Sequence, residues 1–432
     1  MKNQAFKLVL AILLANVMLA GCVKHKQDPN TIRFRYWGDL EEIRILEQLC
    51  KDFEAAHPGV HVKPERKESG PAYSDILLQE FAAKRAPDVM FVSPDNLEIL
   101  TEGAKLADLN PWLEKEKDLK AADYYDILIQ RYSVGDKLMA LPRDIAPIAV
   151  IYYNKDLFDA AHLPYPKDTW HWEDLEAAAI KLTHRDDKGL ASQYGFADEW
   201  AATDVWALSA GGKIVDDYVH PTRFNVGSGL AAEGALFRWK LLQKDKVMPF
   251  SSENRSALAG NLGLFLNGKL AMFHSGIWHT PEFRRISAFH WDVVRFPTKK
   301  GAVDPHFLLA SAAYAMRSDV ANPELCWQLL KFMSGPQGQS RLVETGLVQP
   351  ALKALANSPV FLDGKDPKNK GMLIYAAEHG YFTPASNIWA EFVRSVWTPV
   401  TDPMWINGFK GDPAAVLKEA ETKGNQKYFG SK

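Results

Sequence analysis

Cysteine is scarce in this chain of 432 residues, where it occurs only at Cys22, Cys50 and Cys326. Cys50 and Cys326 fall in segments that we predict to be helical. Two outcomes are open for this pair: a disulfide, if the compartment is oxidising, or two separate side chains that pack as small apolar groups. We favour the second interpretation.

The chain also lacks a surplus of either charge. Its 51 basic and 53 acidic side chains leave a formal net charge of −2, so no overall field attracts nucleic acid and we expect no nucleic-acid partner. Beyond the first residues there is no second apolar span, no low-complexity tract and no clear internal repeat. About four hundred residues are too many for one core, so we expect two lobes.

Motifs for cofactor, metal or catalytic chemistry are missing as well. The segment from Gly263 to Lys269 has the glycine spacing of a phosphate-binding loop, but Leu270 replaces the required serine or threonine. Tyr152 and Tyr153 are neighbours in a predicted strand and point to opposite faces, so they cannot both bind one ferric ion. The histidines show no metal-site spacing, and no G-x-S-x-G is present. We therefore expect no cofactor, no metal and no catalytic residue.

The first residues have the features of an export signal. Lys2 and Lys7 form a positive region, and the apolar stretch from Leu8 to Leu19 is too short to span a bilayer comfortably. Residues 19–22, Leu-Ala-Gly-Cys, resemble the lipobox of bacterial lipoproteins, whose cysteine is acylated and becomes the mature N-terminus. An ordinary cleaved signal with an incidental cysteine is the alternative.

The lipobox resemblance implies a membrane-anchored protein. Residues 1–22 are then the signal peptide and lipobox, Cys22 is the lipidation site, and residues 23–30 form a polar tether. Several acyl chains on one residue hold a protein stably at a membrane surface, because each buried CH₂ contributes ~0.8 kcal/mol. The expected location is the cell envelope, with the protein facing the periplasm or the cell exterior.

Strand and helix patterns alternate from residue 32 onward. Strands are predicted at Ile32–Tyr36, Val60–Pro64 and Val89–Val92, and helices with apolar stripes lie between them at Leu40–Ala56 and around Tyr73–Phe81. Such alternation is typical of a parallel sheet covered by helices, in which ligands bind beyond the carboxyl ends of the strands.

The later part of the chain continues this α/β pattern. A hairpin turn is predicted at residues 135–137, a strand at 148–153, and a helix between Thr169 and Thr183 with a threonine at its start. Further strands are expected around residues 270–274, Val293 and Leu308, and helices dominate from Pro323.

Several motifs, in the same order along nearly the whole mature chain, resemble family 1 extracellular solute-binding proteins of ABC importers, the maltodextrin-binding type. They are FEAAHPGV at 53–60, APDV at 86–89, YYNKDLF at 152–158, the segment 268–278 with GKLAM and GIW, and the helical region 327–346. Each motif alone is weak, but their common order is specific.

The resemblance implies a two-lobed periplasmic-binding-protein fold of class II. Each lobe is an α/β unit with a mixed sheet flanked by helices, and three crossing segments join the lobes near 144–149, 291–294 and 344–349. The implied N-terminal lobe comprises residues 31–145 and 293–346, and the C-terminal lobe comprises 146–292 and 347–432.

The resemblance also implies a function. A protein of this kind captures a sugar or oligosaccharide between its lobes by hinge closure and delivers it to the transmembrane subunits of an ABC permease, without catalysis. We expect a monomer. Two alternatives remain: a binding protein of the same fold for a charged ligand such as a glycerol phosphodiester, and a surface carbohydrate-active enzyme.

Aromatic residues are the first candidates for the ligand site, because a sugar ring offers C–H patches to an aromatic face. The chain contains 13 tryptophans. Trp278, after a glycine-containing turn, and Trp389 match stacking aromatics of similar proteins, and Trp200 precedes a helix where similar proteins carry a ligand aromatic. The alternative for each of them is a core position.

Polar and aromatic residues near strand ends in the first lobe are further candidates. Trp37 and Asp39 follow the first predicted strand, and Ser93 and Asp95 follow the third. Asp95 could instead cap a helix. Tyr73 could reach the cleft from a helix start, although its spacing favours the core.

The crossing segments supply the last candidates. Arg143 and Asp144 can hydrogen-bond paired sugar hydroxyls, with a salt bridge at the hinge as the alternative. Phe307 and Ser311, on the strand that returns to the first lobe, are weaker candidates.

Overall fold

The computed structural model describes residues 28–67, 71–101, 105–199, 202–250, 260–384 and 387–430. The predicted export signal, the lipobox with Cys22 and most of the tether lie outside these residues. Among the helices that are described, none is long and apolar enough to cross a membrane.

The described chain forms short and medium strands, which in chain order are β1 Thr31–Tyr36, β2 His61–Arg66, β3 Val89–Val92, β4 Ser133–Val134, β5 Lys137–Leu138, β6 Leu141–Pro142, β7 Ala146–Pro147, β8 Val150–Asn154, β9 His184–Arg185, β10 Ala191–Asp198, β11 Leu270–Ser275, β12 Trp291–Arg295, β13 Phe307–Ala310, β14 Ala313–Met316 and β15 Gly380–Tyr381.

The α-helices are α1 Leu40–Ala56, α2 Pro71–Ala82, α3 Pro94–Thr101, α4 Asn110–Leu113, α5 Asp126–Arg131, α6 Lys155–Ala160, α7 Trp172–Leu182, α8 Ala202–Ser209, α9 Gly229–Gln243, α10 Gly260–Leu266, α11 Thr280–Phe283, α12 Pro323–Ser334, α13 Pro336–Thr345, α14 Lys353–Ala356, α15 Gly371–Glu378, α16 Asn387–Phe392, α17 Thr398–Thr401 and α18 Pro413–Phe429. Short 3₁₀ turns lie at Ala121–Asp123, Ile277–His279 and Asp402–Trp405, and a π-helical turn at Val393–Trp397.

The first lobe is built on a mixed sheet in the order β2-β1-β3-β14-β6. β1 runs parallel to β2 and β3, as the strand and helix alternation predicted, and the returning strand β14 is antiparallel to β3 and β6. The carboxyl ends of β1 and β3 therefore lie at the same edge of the sheet, where a ligand is expected.

The second lobe is built on another mixed sheet, in the order β12-β8-β11-β10-β9. β10 and β11 are parallel neighbours, with Asp198 opposite His274 at their carboxyl ends. β8 runs antiparallel to both β11 and β12. The residues that follow β10 and β11 thus leave the second sheet side by side.

The two lobes are joined through paired crossing segments. β13 pairs with β7 and β15 in a small third sheet. Asp144 bridges to Pro350, and the Ile145 N–H donates to the Gln349 carbonyl (3.1 Å), so the first and third crossings run together. The crossing expected at 291–294 was misplaced, because Trp291–Arg295 is strand β12, which pairs with β8 along its whole length, and the chain leaves the second sheet only after Arg295. The lobe boundaries themselves stay predictions.

Most predicted elements are present, but several bounds differ: β2 is His61–Arg66 where 60–64 was predicted, and β8 begins at Val150 where the strand was predicted from 148. α1 and β3 have the expected bounds, and β4 and β5 form the expected hairpin around Gly135 and Asp136. The helix expected from Thr169 begins only at Trp172. His171 is the capping residue: its backbone is still extended, and its N–H donates to the Asp174 carboxylate in the first turn (2.8 Å).

The apolar side chains form buried clusters on the sheets and under the last helices. Tyr152 belongs to a cluster shared with the first sheet and Tyr153 to the main cluster of the second lobe, which confirms that these neighbours point to opposite faces. Cys50 and Cys326 are separate buried thiols, as we favoured, and burial raises the pKa of each to about 12.

Candidate functional site

The first lobe presents Trp37 directly after β1. Its half-buried ring is held edge-on against Tyr73 and Phe91, with ring centres 4.8 and 5.1 Å apart. Tyr73 itself is only 1% exposed, and its hydroxyl donates to the Phe91 carbonyl (2.9 Å). In this arrangement Tyr73 supports Trp37 from the core and leaves no surface of its own for a ligand.

A buried charge network lies behind Trp37. The Asp39 carboxylate accepts from the Glu42 N–H (3.3 Å) and caps α1. The Arg143 guanidinium lies between the carboxylates of Glu42 (2.5 Å) and Asp144 (2.7 Å) and over the Phe91 ring (4.9 Å). Burial alone would lower the pKa of Arg143, but the two carboxylates outweigh it and raise that pKa above its usual value. The structure thus favours the salt bridge over a free hydroxyl-binding arginine.

Asp144 and Ser311 join two crossing segments. The Asp144 carboxylate accepts from the Ala312 N–H (2.9 Å), and the Ser311 hydroxyl donates to the Asp144 carbonyl (2.7 Å). The Tyr132 hydroxyl donates to Ser311 (3.0 Å). These buried contacts hold the hinge strands in register, so both side chains are engaged within the protein.

Ser93 and Asp95 follow β3, where α3 begins. The Ser93 N–H donates to the Asn96 side chain (2.9 Å). Because α3 starts at Pro94, Asp95 lies inside the first turn and does not occupy the capping position that we considered for it. The side chain of Asp95 lies outside the described structure.

The second lobe presents a cluster at the adjacent ends of β10 and β11. One carboxylate oxygen of Glu199 accepts from the Ser275 hydroxyl (3.0 Å) and contacts His279 Nε2 (3.2 Å). The indole nitrogen of Trp278 lies 3.2 Å from the same His279 nitrogen, which donates to Glu199 in the tautomer with a proton on Nε2 and accepts from Trp278 in the other tautomer. The cluster thus combines an aromatic face with a carboxylate.

The carboxylate of Glu199 is both accessible to solvent and ionised. Its side chain is 40% exposed. Burial pushes the pKa of Glu199 upward, but the neighbouring His279 ring and the Ser275 hydroxyl outweigh burial and lower it. Glu199 is therefore ionised at neutral pH and can accept hydrogen bonds from a ligand's hydroxyl groups.

The half-buried ring of Trp278 depends on a glycine. A Cβ atom at Gly276 would lie 2.0 Å from the Trp278 ring, so only glycine leaves room for the ring to fold back over the turn. The glycine in this turn therefore determines where the Trp278 ring lies.

The remaining aromatic candidates have different surroundings. Trp389 is 7% exposed and packs near Phe224 and Phe392, with ring centres 6.0 and 5.7 Å away. Phe307 is 2% exposed and lies under the Arg295 guanidinium. Trp200 lies outside the described residues. The assignments of all candidates to a ligand site stay predictions.

Two contacts between the lobes, among those of the described residues, involve elements near the candidate tryptophans. α16, which carries Trp389, lies against α3 of the first lobe. The Arg285 guanidinium, just after the turn with Trp278, pairs with the Glu41 carboxylate of α1 (2.6 Å). The segments that carry Trp278 and Trp389 thus both reach the other lobe.

Glu42, Glu199, Ser275 and His279 are site-lining or supporting residues that the sequence analysis missed. Glu199 follows β10 and Ser275 ends β11, and these are parallel neighbours, so both residues carry the strand-end signal that indicates Trp37 and Ser93 in the first lobe. Glu42 gave no local signal, because its partner Arg143 is distant in the sequence. In the described ranges no group of three or more His, Cys, Asp or Glu side chains is placed to hold a metal ion.

Comparisons with known proteins agree with this architecture. The family model for bacterial extracellular solute-binding proteins matches residues 37–340. The galactooligosaccharide-binding protein of Bacillus subtilis (strain 168) is 24% identical over 393 residues, covering 89% of this chain and 86% of that protein. The multiple sugar-binding protein of Streptococcus mutans is 22% identical over 297 residues, covering 66% of this chain and 68% of that protein.

Solved structures share the fold. An ABC substrate-binding protein from Listeria monocytogenes in complex with cycloalternan has a TM-score of 0.78 and 23% identity, with 93% of this chain and 99% of that chain covered. A maltose-bound protein of T. maritima has a TM-score of 0.75 and 16% identity, with 91% and 98% covered. These matches confirm the two-lobed, maltodextrin-binding-like fold, and the chain belongs to the family of bacterial extracellular solute-binding proteins.

Proposed function

We propose that this protein captures a sugar or oligosaccharide between its two lobes and delivers it unchanged to the transmembrane subunits of an ABC permease. The observation that carries the proposal is the cluster in which Trp278 and the partly exposed Glu199 both contact His279, just after the ends of two adjacent parallel strands. Relatives named for galactooligosaccharides and for multiple sugars support a carbohydrate ligand.

The chemistry of this cluster suits a sugar. The indole face offers a surface for the C–H patches of a pyranose ring, and the ionised Glu199 accepts hydrogen bonds from its hydroxyls. Trp37 offers a second aromatic surface from the first lobe. A buried hydroxyl partner left empty costs ~1 to 3 kcal/mol, so polar groups of this kind discriminate between sugars.

Closure of the lobes makes the capture tight. A ligand held between two lobes contacts both only when they are closed, so binding shifts the protein toward the closed state. The proposed hinge is the first crossing segment with its two neighbours: the Ile145 to Gln349 hydrogen bond joins it to the third crossing, and Asp144 joins it to Ser311 and Ala312 between β13 and β14. We place the lobes at residues 31–145 with 293–346, and at 146–292 with 347–432.

The location follows from the family and from the first residues. An extracellular solute-binding protein works outside the cytoplasm, and we propose that lipidation of Cys22 anchors a monomer to a membrane. In the full chain, Cys22→Ser is expected to move the protein from the membrane fraction to the soluble envelope fraction on cell fractionation. Retention of this variant on the membrane would contradict the anchor.

The two alternatives have less support. A charged ligand such as a glycerol phosphodiester requires an available cation, but Arg143 is 7% exposed and engaged by Glu42 and Asp144. Glycoside hydrolysis requires two carboxylates flanking one bond. The contacts described for the Glu199 carboxylate are with Ser275 and His279, which suit a hydroxyl acceptor in a binding site.

Isothermal titration calorimetry of the full-length protein separates these functions. Galactooligosaccharides, maltodextrins and a glycerol phosphodiester are each titrated, and the sugars are analysed by chromatography afterwards. We expect saturable heat with at least one oligosaccharide, recovery of that sugar unchanged, and no heat with the phosphodiester. Cleavage of the sugar, or binding of the phosphodiester alone, would contradict the proposal.

A further inference from the structure

Two consecutive arginines follow the turn that carries Trp278. Arg284 faces the third crossing segment: its Nε donates to the Asp366 carbonyl (2.7 Å), and its Nη1 donates to the Glu344 carbonyl (3.1 Å) at the end of α13. A Cβ atom at Gly346, in the left-handed conformation with φ of +85°, would lie 2.8 Å from Arg284 Cζ. The turn is therefore attached closely to the hinge.

Arg285 points to the other lobe. Its Nη2 lies 2.6 Å from Glu41 Oε1, and the two side chains are 59% and 22% exposed. Glu41 lies in the first turn of α1, two residues after Asp39 and close to Trp37. The second oxygen of Glu41 pairs with Arg44 (3.2 Å) on the same helix, which holds the carboxylate on the side that faces Arg285.

The two partners belong to different lobes. Arg285 lies between β11 and β12 of the second sheet, and Glu41 lies between β1 and β2 of the first. Glu41 follows the carboxyl end of β1, on the edge where the ligand is expected, so rotation of the lobes away from each other at that edge separates the pair. An interaction made only in the closed state shifts the equilibrium toward closure.

We propose that the ion pair between Glu41 and Arg285 stabilises the closed arrangement of the lobes and, through the short α11 segment, holds Trp278 in place over the bound sugar. This inference rests on the proposed function. Glu41 and Arg285 do not themselves contact the sugar in this proposal. They act on affinity through the closed state.

The size of the effect follows from the exposure of the pair. Exposed ion pairs stabilise the structures that form them only slightly, so loss of either partner is expected to weaken sugar binding by about two- to fivefold. Because solvent reaches both side chains, salt screens the interaction. At ~1 M salt, where the Debye length is ~3 Å, the difference from the wild type is expected to disappear.

A double-mutant cycle tests the pair. The full-length variants Arg285→Gln, Glu41→Gln and the double variant are titrated with the best oligosaccharide of the panel, at low and high salt. We expect each single variant to weaken binding by about two- to fivefold at low salt and the double variant to be no weaker than either single one, because they remove the same interaction. Arg341→Gln is the matched control, since Arg341 is 63% exposed and its partners Asp52 and Glu344 lie on α1 and α13 of the first lobe.

Small-angle X-ray scattering of the ligand-free variants gives a readout that does not depend on a sugar. We expect Arg285→Gln and Glu41→Gln to have a larger radius of gyration than the wild type and Arg341→Gln, because more molecules are open. The ion-pair proposal would be overturned if the single variants kept both the affinity and the radius of gyration of the wild type, or if they bound the sugar more tightly. It would also be overturned if the losses of affinity in the two single variants added up in the double variant. A wild-type protein that binds none of the sugars would contradict the proposed function, and the scattering comparison would still test the pair.

Discussion

At the scale of single residues, the position of Trp278 is determined by its immediate neighbours. Gly276 leaves space for the ring, and the indole nitrogen lies 3.2 Å from His279 Nε2. His279 in turn contacts the carboxylate of Glu199. The ring is therefore held in one orientation before any ligand arrives, which reduces the entropy that binding must overcome.

Trp278→Ala is expected to weaken sugar binding by about tenfold or more, because truncation of a central aromatic anchor typically costs ~2 kcal/mol. Calorimetry with the best oligosaccharide measures the change. Trp112→Ala is the matched control: Trp112 is also half-buried, but it pairs with Trp327 in the first lobe, with ring centres 5.9 Å apart. Equal affinities for the Trp278 variant and the wild type would argue against stacking at this residue.

A second residue-scale prediction concerns His274, which is fully buried at the end of β11. Burial is the main cause that lowers the pKa of His274, against the opposing effect of Asp198 and Glu199, while Arg238 adds to the lowering. Its ring lies edge-on to Phe296 (4.8 Å), with Nε2 3.4 Å from the Ile148 carbonyl. The folded state thus prefers the neutral imidazole.

The sign of the pH effect follows. Below the unfolded-state pKa of ~6.5, the unfolded chain binds a proton at His274 that the folded protein does not bind. The free energy of unfolding therefore falls by up to ~1.4 kcal/mol for each unit by which the pH is lowered. In His274→Leu this part of the slope is expected to vanish. Denaturant titrations between neutral pH and pH ~5 compare the two slopes. If the free energy of unfolding depended on pH equally in the wild type and in His274→Leu, His274 would not be the source of this slope.

The sequence predicted those residues of the candidate site that lie just after the end of a strand. Trp37 and Trp278 were identified because they come directly after strands or a glycine turn. Glu42 was not, since its role depends on a salt bridge to Arg143 that only the folded chain creates. Tyr73 showed the helical spacing of a core residue, and its 1% exposure agrees with that spacing.

At the scale of elements, the packing of α7 on β10 depends on Gly195. A Cβ atom at this position would lie 2.0 Å from the Ala179 carbonyl oxygen of α7. Such a contact is with backbone and cannot be relieved by a side-chain rotation. The helix and the strand must therefore separate to admit any larger residue, next to the strand end that carries Glu199.

Gly195→Ala is expected to destabilise the second lobe by about 1 to 3 kcal/mol, as overpacking of a close contact does. Gly371→Ala is the control, because no atom lies within 4 Å of the added Cβ and the position begins α15. This control should be neutral or gain ~0.4 to 1 kcal/mol. Scanning calorimetry reports both changes, and a Gly195 variant as stable as the wild type would contradict the packing argument.

Elements were more predictable than their ends. The helical spacing of apolar residues identified α1, and the continuous apolar run identified β3, whose four residues are all buried. The start of α7 was misplaced because Thr169 and His171 both precede acidic residues, and the choice between them depends on a hydrogen bond from the backbone of His171 to Asp174. Local sequence does not distinguish such competing starts.

At the scale of the whole molecule, the order of the strands determines how the lobes are built. The chain leaves the first sheet after β6, builds the second sheet, and returns through β13 and β14. The family resemblance implied this organisation, whereas composition and periodicity indicated only two α/β lobes. Contacts between the lobes, such as Glu41 with Arg285, join residues far apart in the sequence and required the structure.

The central claim is that the two lobes close around a sugar, and small-angle X-ray scattering with and without a saturating oligosaccharide tests it most directly. We expect the radius of gyration to decrease when the sugar binds, because hinge closure brings the second lobe toward the first. If calorimetry shows the sugar bound while the scattering curve stays the same, the lobes do not close on it and the account is contradicted.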